Sequence, residues 1–511
     1  MTAASIMRTE APSGAFDLAA TIALAFAITG LPVLLHLVAP ALAIAFSVAC
    51  AIVLAWRFDR AAPVVLLVAY LFQSTFVAMA SSAVVEYSDL DSMKAYNFVT
   101  TIGVWLTLVA RLLFERGPVS PFVRRMMIGS SIVIAIAGVY FVIGLAIDTR
   151  GAIIYMRNLC LPMILFQIGL IVAARHGAPT LSTIVVVLTM VLVCGYVELL
   201  WLEGWLDFTN GWTYWDLASA ARRQTAESVR DARETGIVAA TVVDLLTTNF
   251  LNSTLVSDLA LRVVRLQGPN FHPISFGYAL AILTSILAAH GRILLPLAAA
   301  PLLLVIGAKG ALVLVALCVA YCALARRFAG LAPPIALGVA LAAFAAFAFT
   351  SGLAHGDFHV LGLIGGLTGF AGDPIGHSLG EGGNLSTNFA AIDWSKYQHA
   401  GATDIAVESA IGVLLYQTGV AGFGILAIYL WLARTGWRLH AWRNDPSLAL
   451  VSAVIPIILV NGLFQEEAMF APLALGLALW FAGLTLGAVD HAVAGPVREG
   501  RLAQLRPAMS R

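Results

Sequence analysis

Arg262 and Arg265 stand three residues apart in Arg262-Val-Val-Arg265-Leu-Gln-Gly268-Pro-Asn-Phe271-His272-Pro273, a run that leads straight into an apolar segment. Read as a helix ended by Gly268 and Pro269, this spacing puts both guanidinium groups on one face. Two such forks suit a diphosphate, since each can donate a bidentate pair to phosphate oxygens. Anchoring at a membrane interface is the plainer alternative. Arg157 lies just inside another apolar span, where it either snorkels to the interface or joins an anion site. Lys309 occupies the break Gly307-Ala308-Lys309-Gly310 in a long apolar run. Glu408, in Val407-Glu408-Ser409, begins an apolar helix. A carboxylate there is either a partner for the helix dipole or, with its proton affinity raised by desolvation, a general base. His377, in the flexible glycine-rich stretch Gly376 to Asn384, is the second candidate base. His355, His359 and His399 are nearby, but no two of these histidines have metal-site spacing, so no metal is expected. Tyr87, Asp89 and Asp91 resemble a metal-binding acidic pair and read more simply as a solvated loop.

The elements that must position these groups are membrane helices. The chain has 511 residues, 60% hydrophobic and only 11% charged, with a net charge of +1. That composition excludes a set of soluble domains and offers no basic surface for nucleic acid. Lysine occurs only at 94, 309 and 396. Cysteines 50, 160, 194, 318 and 322 all lie in apolar spans and read as core residues.

Runs long enough to cross a hydrocarbon layer of ~30 Å fall near 16–36, 40–56, 62–84, 97–114, 127–147, 152–174, 181–202, 274–290, 293–308, 310–325, 334–350, 408–433, 447–464 and 470–488. They predict an all-α polytopic protein with about fourteen spans. The first run follows Arg8 and is longer than the apolar part of a signal peptide, so it is expected to stay as an anchor. Alternating sides gathers Arg57/Arg60, Arg111/Arg116/Arg124/Arg125, Arg175, Arg292, Arg326/Arg327, Arg434/Arg438/Arg443 and Arg498, Arg501, Arg506 and Arg511 of the tail on one side, which the positive-inside rule makes cytoplasmic with both termini. The opposite short connections, such as Gln465 to Glu467, are acidic or neutral. Two long loops, 203–273 and 351–407, are then extracytoplasmic.

The first loop opens with Trp201, Trp205, Phe208, Trp212, Tyr214 and Trp215, an interfacial belt whose rings could also stack on sugars. From Asp216 to about Asn249 the pattern predicts a helix over the outer face, with Arg223/Glu227 and Arg230/Glu234 spaced to pair. Between Arg292 and Arg326 the charge rule forces two short helices with Lys309 at their outer turn, in a local depression of the bilayer. Gln417-x-Gly419-x-x-Gly422 supplies small residues for close helix packing.

Over residues 260 to 425 the chain resembles the bacterial O-antigen polymerase and ligase superfamily, the Wzy-type and WaaL-type membrane glycosyltransferases. The likeness rests on Arg265-x-x-Gly268-x-x-Phe271-x-Pro273, on Lys309-Gly310 where the family usually has Ser-Arg-Gly, on Gly376-x-x-x-Gly380, and on Glu408-Ser409 before Gln417-x-Gly419-x-x-Gly422. It implies a GT-C type enzyme of the bacterial inner membrane, acting at the periplasmic face on undecaprenyl-diphosphate-linked oligosaccharides, with no cofactor. Arg265 and Lys309, with Arg262, Arg157 and His272, would bind the lipid diphosphate. Lysine at 309 keeps the charge and loses the fork. Glu408-Ser409 stands where ligases typically carry His-Asn, which favours a polymerase of O-antigen or exopolysaccharide repeat units. A chain-length regulator is a partner compatible with that role.

A lipid diphosphate is already a good leaving group, so the chemistry needs cations on the developing charge and one base, Glu408 or His377, for the attacking hydroxyl. A single displacement would invert the anomeric centre. The competing readings are an O-antigen ligase, a secondary transporter and a lipid flippase. Carriers usually place their charges near the midplane and show internal repeats, and no repeat is visible here.

Overall fold

The computed structural model describes residues 14–114, 119–223, 242–250, 261–387, 389, 392 and 394–505. Helices dominate: α1 (Gly14–His36), α2 (Pro40–Arg57), α3 (Ala62–Met79), α4 (Tyr87–Phe114), α5 (Pro121–Gly144), α6 (Thr149–His176) and α7 (Leu181–Leu200) form the first half. Short helices α8 (Leu202–Phe208), α9 (Gly211–Arg223) and α10 (Val242–Leu246) precede a two-stranded antiparallel ribbon of β1 (Thr247–Asn249) and β2 (Arg262–Val264). The second half holds α11 (Pro273–Ala289), α12 (Leu294–Ile306), α13 (Lys309–Arg327), α14 (Ala332–His355), α15 (Phe358–Gly372), α16 (Trp394–Ala400), α17 (Ala410–Thr418), α18 (Ala421–Arg443), α19 (Pro446–Asn461), α20 (Glu467–Phe470) and α21 (Leu477–Leu505). Ten helices among the described residues are long and apolar enough to cross a membrane, and α11, α12, α15 and α19 are shorter apolar helices. The protein is therefore an all-α polytopic membrane protein.

Its centre is the pair α6 and α21, the two most buried of the long helices. Their backbones meet through small residues. A side chain at Gly483 would strike the Phe166 carbonyl at 2.1 Å, and one at Gly487 the Leu170 carbonyl at 2.5 Å. Gly483-x-x-x-Gly487 is thus a small-residue stripe that allows close helix contact, the packing that holds membrane helices together where lipid removes the hydrophobic drive. One end of α6 carries Arg175 and His176. There Asp59, in the α2–α3 turn, accepts from Arg111 of α4 at 3.1 Å and lies 3.1 Å from His176 and 3.8 Å from Arg175. Four elements are stapled at that end.

Several sequence expectations change. The span expected over 408–433 is broken: Gly419, at φ +53°, ends α17, and the freed carbonyls of Tyr416 and Gln417 accept the N–H groups of His377 and Ser378. The supposed loop 351–407 contains the tail of α14 and all of α15. Asp357 caps α15, and its glycines lie flat on the start of α17, where a side chain at Gly366 would meet the Gly412 backbone at 2.6 Å. Arg262 and Arg265 do not share a helix face. The β-branched Val263 and Val264 favour an extended ribbon, and residues three apart on a strand project to opposite faces. Of the helix predicted over 216–249, the described residues show α9 as far as Arg223 and α10 at Val242–Leu246, with β1 from Thr247. Glu227, Arg230 and Glu234 lie outside the described residues, as do Arg8, Arg116, Arg506 and Arg511.

Candidate functional site

The segment after β2 makes a strained turn. Gly268 at φ +65° lies against Phe276, whose ring a side chain there would meet at 2.4 Å, and Phe271 also takes a left-handed φ of +51°. Three groups hold this turn. The buried Glu198 carboxylate, near the end of α7, accepts the N–H of Gln267 at 2.8 Å and of Gly268 at 2.7 Å. The Pro269 carbonyl accepts both the N–H and the hydroxyl of Thr75. His272 caps α11, its Nδ1 accepting the Ser275 N–H at 3.2 Å. The result projects Arg265, Gln267, Asn270, Phe271 and His272 toward one cavity of about 580 Å³.

The opposite wall comes from α6. Arg157 lines the cavity, and its Nε donates to the Asn158 side chain at 3.0 Å. Two residues before it, the buried Tyr155 hydroxyl donates to Glu466 at 2.5 Å and accepts the Leu385 N–H at 3.2 Å. Glu466 also accepts the Asn384 N–H at 2.9 Å, while the Asn384 side chain accepts the Glu408 N–H at 2.8 Å. The glycine-rich stretch is therefore pinned rather than flexible. Gly383, at φ +87°, brings its Cα so close that a side chain would fall 1.8 Å from the Tyr155 hydroxyl. Asp148 accepts from the N–H and hydroxyl of Thr387 at the loop's far end.

Lys94, from α4, is the third cation in the lining. It is offset by Asp91 at 3.1 Å and faces the rings of Tyr87 and Tyr214; Tyr87, Asp89 and Asp91, read as a solvated loop, instead open α4. Arg157 and Arg265 differ. Neither has a carboxylate within 4.0 Å among the described residues, and Arg265 uses only Nε, donating to the Ile306 carbonyl at 3.2 Å. Two guanidinium groups with donors to spare in one cavity have the chemistry to hold a multiply charged anion. Glu466 and Glu467 complete the charged lining.

Burial pushes the Glu466 carboxyl up to about 8, against the Tyr155 and Asn384 hydrogen bonds that favour its charged form. A group raised in the folded state stabilises most when protonated. Its contribution is full below the ordinary value of 4.5 and is lost as pH rises through about 8. The thermal midpoint of the solubilised protein is expected to fall as pH rises from 4.5 to about 8 and to level off above, and Glu466→Gln to flatten that fall. An unchanged slope in the variant would assign the titration elsewhere.

Of the residues singled out in the sequence, Arg157, Arg265 and His272 come together in the cavity. Arg262 is exposed on the ribbon. Lys309 is exposed at the start of α13 and outside the cavity lining, although Arg265 is bonded to Ile306 in the same turn. The helix before it, α12, has 13 residues and so spans about 20 Å. Glu408 stands behind the lining, at φ +59°, with its carboxylate 3.4 Å from His359. His377 stacks on Tyr416 at 4.0 Å, also outside the lining. Sequence reasoning missed Glu198, Glu466, Glu467 and Lys94. An ionisable residue in a run as apolar as α7 was the available signal for Glu198.

Compared with protein-family models and with curated proteins, the sequence matches none.

Proposed function

We propose that the protein is a glycosyltransferase that polymerises lipid-linked polysaccharide repeat units, transferring the glycan from undecaprenyl diphosphate to a hydroxyl of a second lipid-linked unit. One observation carries this reading: Arg157 and Arg265, from opposite halves of the chain and with no carboxylate within 4.0 Å among the described residues, bring two guanidinium groups into one cavity of about 580 Å³. That volume suits a diphosphate with its first sugar, within the roughly 300–1,000 Å³ of small-molecule sites. The two forks stabilise charge as it develops on the departing diphosphate, without need of a metal or a nucleotide. The Tyr214, Trp215 and Phe271 rings form an aromatic wall beside them. In this reading the architecture is GT-C type with about fourteen crossings. The cavity faces the periplasm of the bacterial inner membrane, both termini are cytoplasmic, and the polymerase assignment follows from Glu408-Ser409.

Purified protein in lipid nanodiscs, given an undecaprenyl-diphosphate oligosaccharide and no nucleotide sugar, is expected to build a ladder of longer lipid-linked glycans. Transfer only to a lipid A core acceptor would mark a ligase. Lipid counterflow with no glycosidic bond formed would mark a carrier.

A further inference from the structure

We propose that Glu467 is the base that takes the acceptor's hydroxyl proton. The assignment rests on the polymerase reading and names its base.

Two neighbouring acids enter the cavity lining, and only one has a carboxylate available. Both oxygens of Glu466 are committed, one to the Tyr155 hydroxyl and one to the Asn384 N–H. No side chain among the described residues hydrogen-bonds the Glu467 carboxylate, which lines the same cavity as Arg157 and Arg265. Its backbone is fixed: α20 begins at Glu467 and runs into the π-helical turn Pro472–Gly476, a geometry frequent at functional sites. Burial raises its proton affinity, the Glu408 charge raises it further, and His359 and Arg265 oppose both. A carboxylate so placed holds a transferred proton better than an ordinary solvated one.

Glu408, whose charge acts on Glu467, is held in a strained conformation. A left-handed φ of +59° is unfavourable for a side chain as large as Glu and persists only where its surroundings impose it. The Asn384 side chain takes its N–H at 2.8 Å, and His359 Nδ1 lies 3.1 Å from its carbonyl. Ser409 caps α17 immediately after it. This holds the Glu408 carboxylate 3.4 Å from His359 Nδ1. The other charged groups nearby are Glu466, Arg265 and Asp357, whose carboxylate accepts the His359 N–H.

The step balances. The acceptor oxygen bonds the anomeric carbon as the bond to the diphosphate oxygen breaks. The electron pair leaves with the diphosphate toward Arg157 and Arg265, and the hydroxyl proton passes to Glu467.

The test uses the full chain in nanodiscs with an undecaprenyl-diphosphate oligosaccharide. Glu467→Gln is expected to lower turnover on the order of 10²–10⁴-fold with little change in KM, the scale of a lost general base. Glu467→Asp reports on folding, since it keeps the carboxylate and is expected to retain measurable turnover. Wild-type turnover in Glu467→Gln overturns the assignment while leaving the polymerase reading intact. Absence of lengthening by the wild-type protein overturns both.

Discussion

Arg265→Ala is expected to lower chain lengthening on the order of 10²–10³-fold, the scale of a lost preorganised donor in a site shielded from water. The guanidinium is half-buried, bonds only the Ile306 carbonyl, and faces a cavity that holds no carboxylate partner for it within 4.0 Å among the described residues. Burial disfavours its charge, and Glu467 favours it. A bound diphosphate would supply the missing partner. Arg265→Lys keeps the charge and loses the two-pronged geometry, so it should fall between wild type and alanine. Arg157→Ala should lose turnover to a similar extent. Arg262→Ala and Lys309→Ala act on exposed side chains outside the lining and should stay within about twofold. Initial rates of ladder formation, with thermal midpoints to show that each variant folds, make the comparison. Equal losses from Arg262 and Arg265 would mean that the ribbon, not the cavity, binds the anion.

Glu198→Ala is the second large effect, and it reaches the site without touching substrate. Its carboxylate satisfies two buried N–H groups at the strained turn. Leaving both unsatisfied costs about 1–3 kcal/mol each, and the turn that aims Arg265 relaxes with them. Lengthening is expected to drop by at least about tenfold, with the unfolding midpoint lowered as well. Glu198→Gln keeps one acceptor and should recover part of both. Hydrogen exchange at the Gln267 and Gly268 amides separates this role from general destabilisation. Selective loss of protection there supports positioning, and protection unchanged in the alanine variant rules it out.

The membrane class is legible in the sequence because apolar length is a property of each segment alone. Arg265 is legible for the same reason, since a cation beside a Gly-Pro break announces itself locally. Its separation from Arg262 is not, because the three-residue strand depends on a partner, Thr247–Asn249, that local spacing does not reveal. The break at Gly419 was likewise hidden. Small residues in that stretch read equally as close packing, and the turn is set by carbonyl acceptors for His377 and Ser378. Glu466 and Glu467 look like a solvated acidic connection until Tyr155, 311 residues away, closes over the first of them. Local pattern exposes what a residue is, and only the fold exposes what surrounds it.

The close contact of α6 with Gly483 and Gly487 has a mechanical consequence. Arg157 rides on the helix that is clamped there and stapled through Asp59 at its far end, so its wall behaves as an anvil. Arg265 sits on a two-stranded ribbon and a turn held by a handful of hydrogen bonds, which makes its wall the jaw. In the proposed polymerase, any widening of the cavity around a growing glycan would fall to the jaw, with Arg157 as its fixed reference.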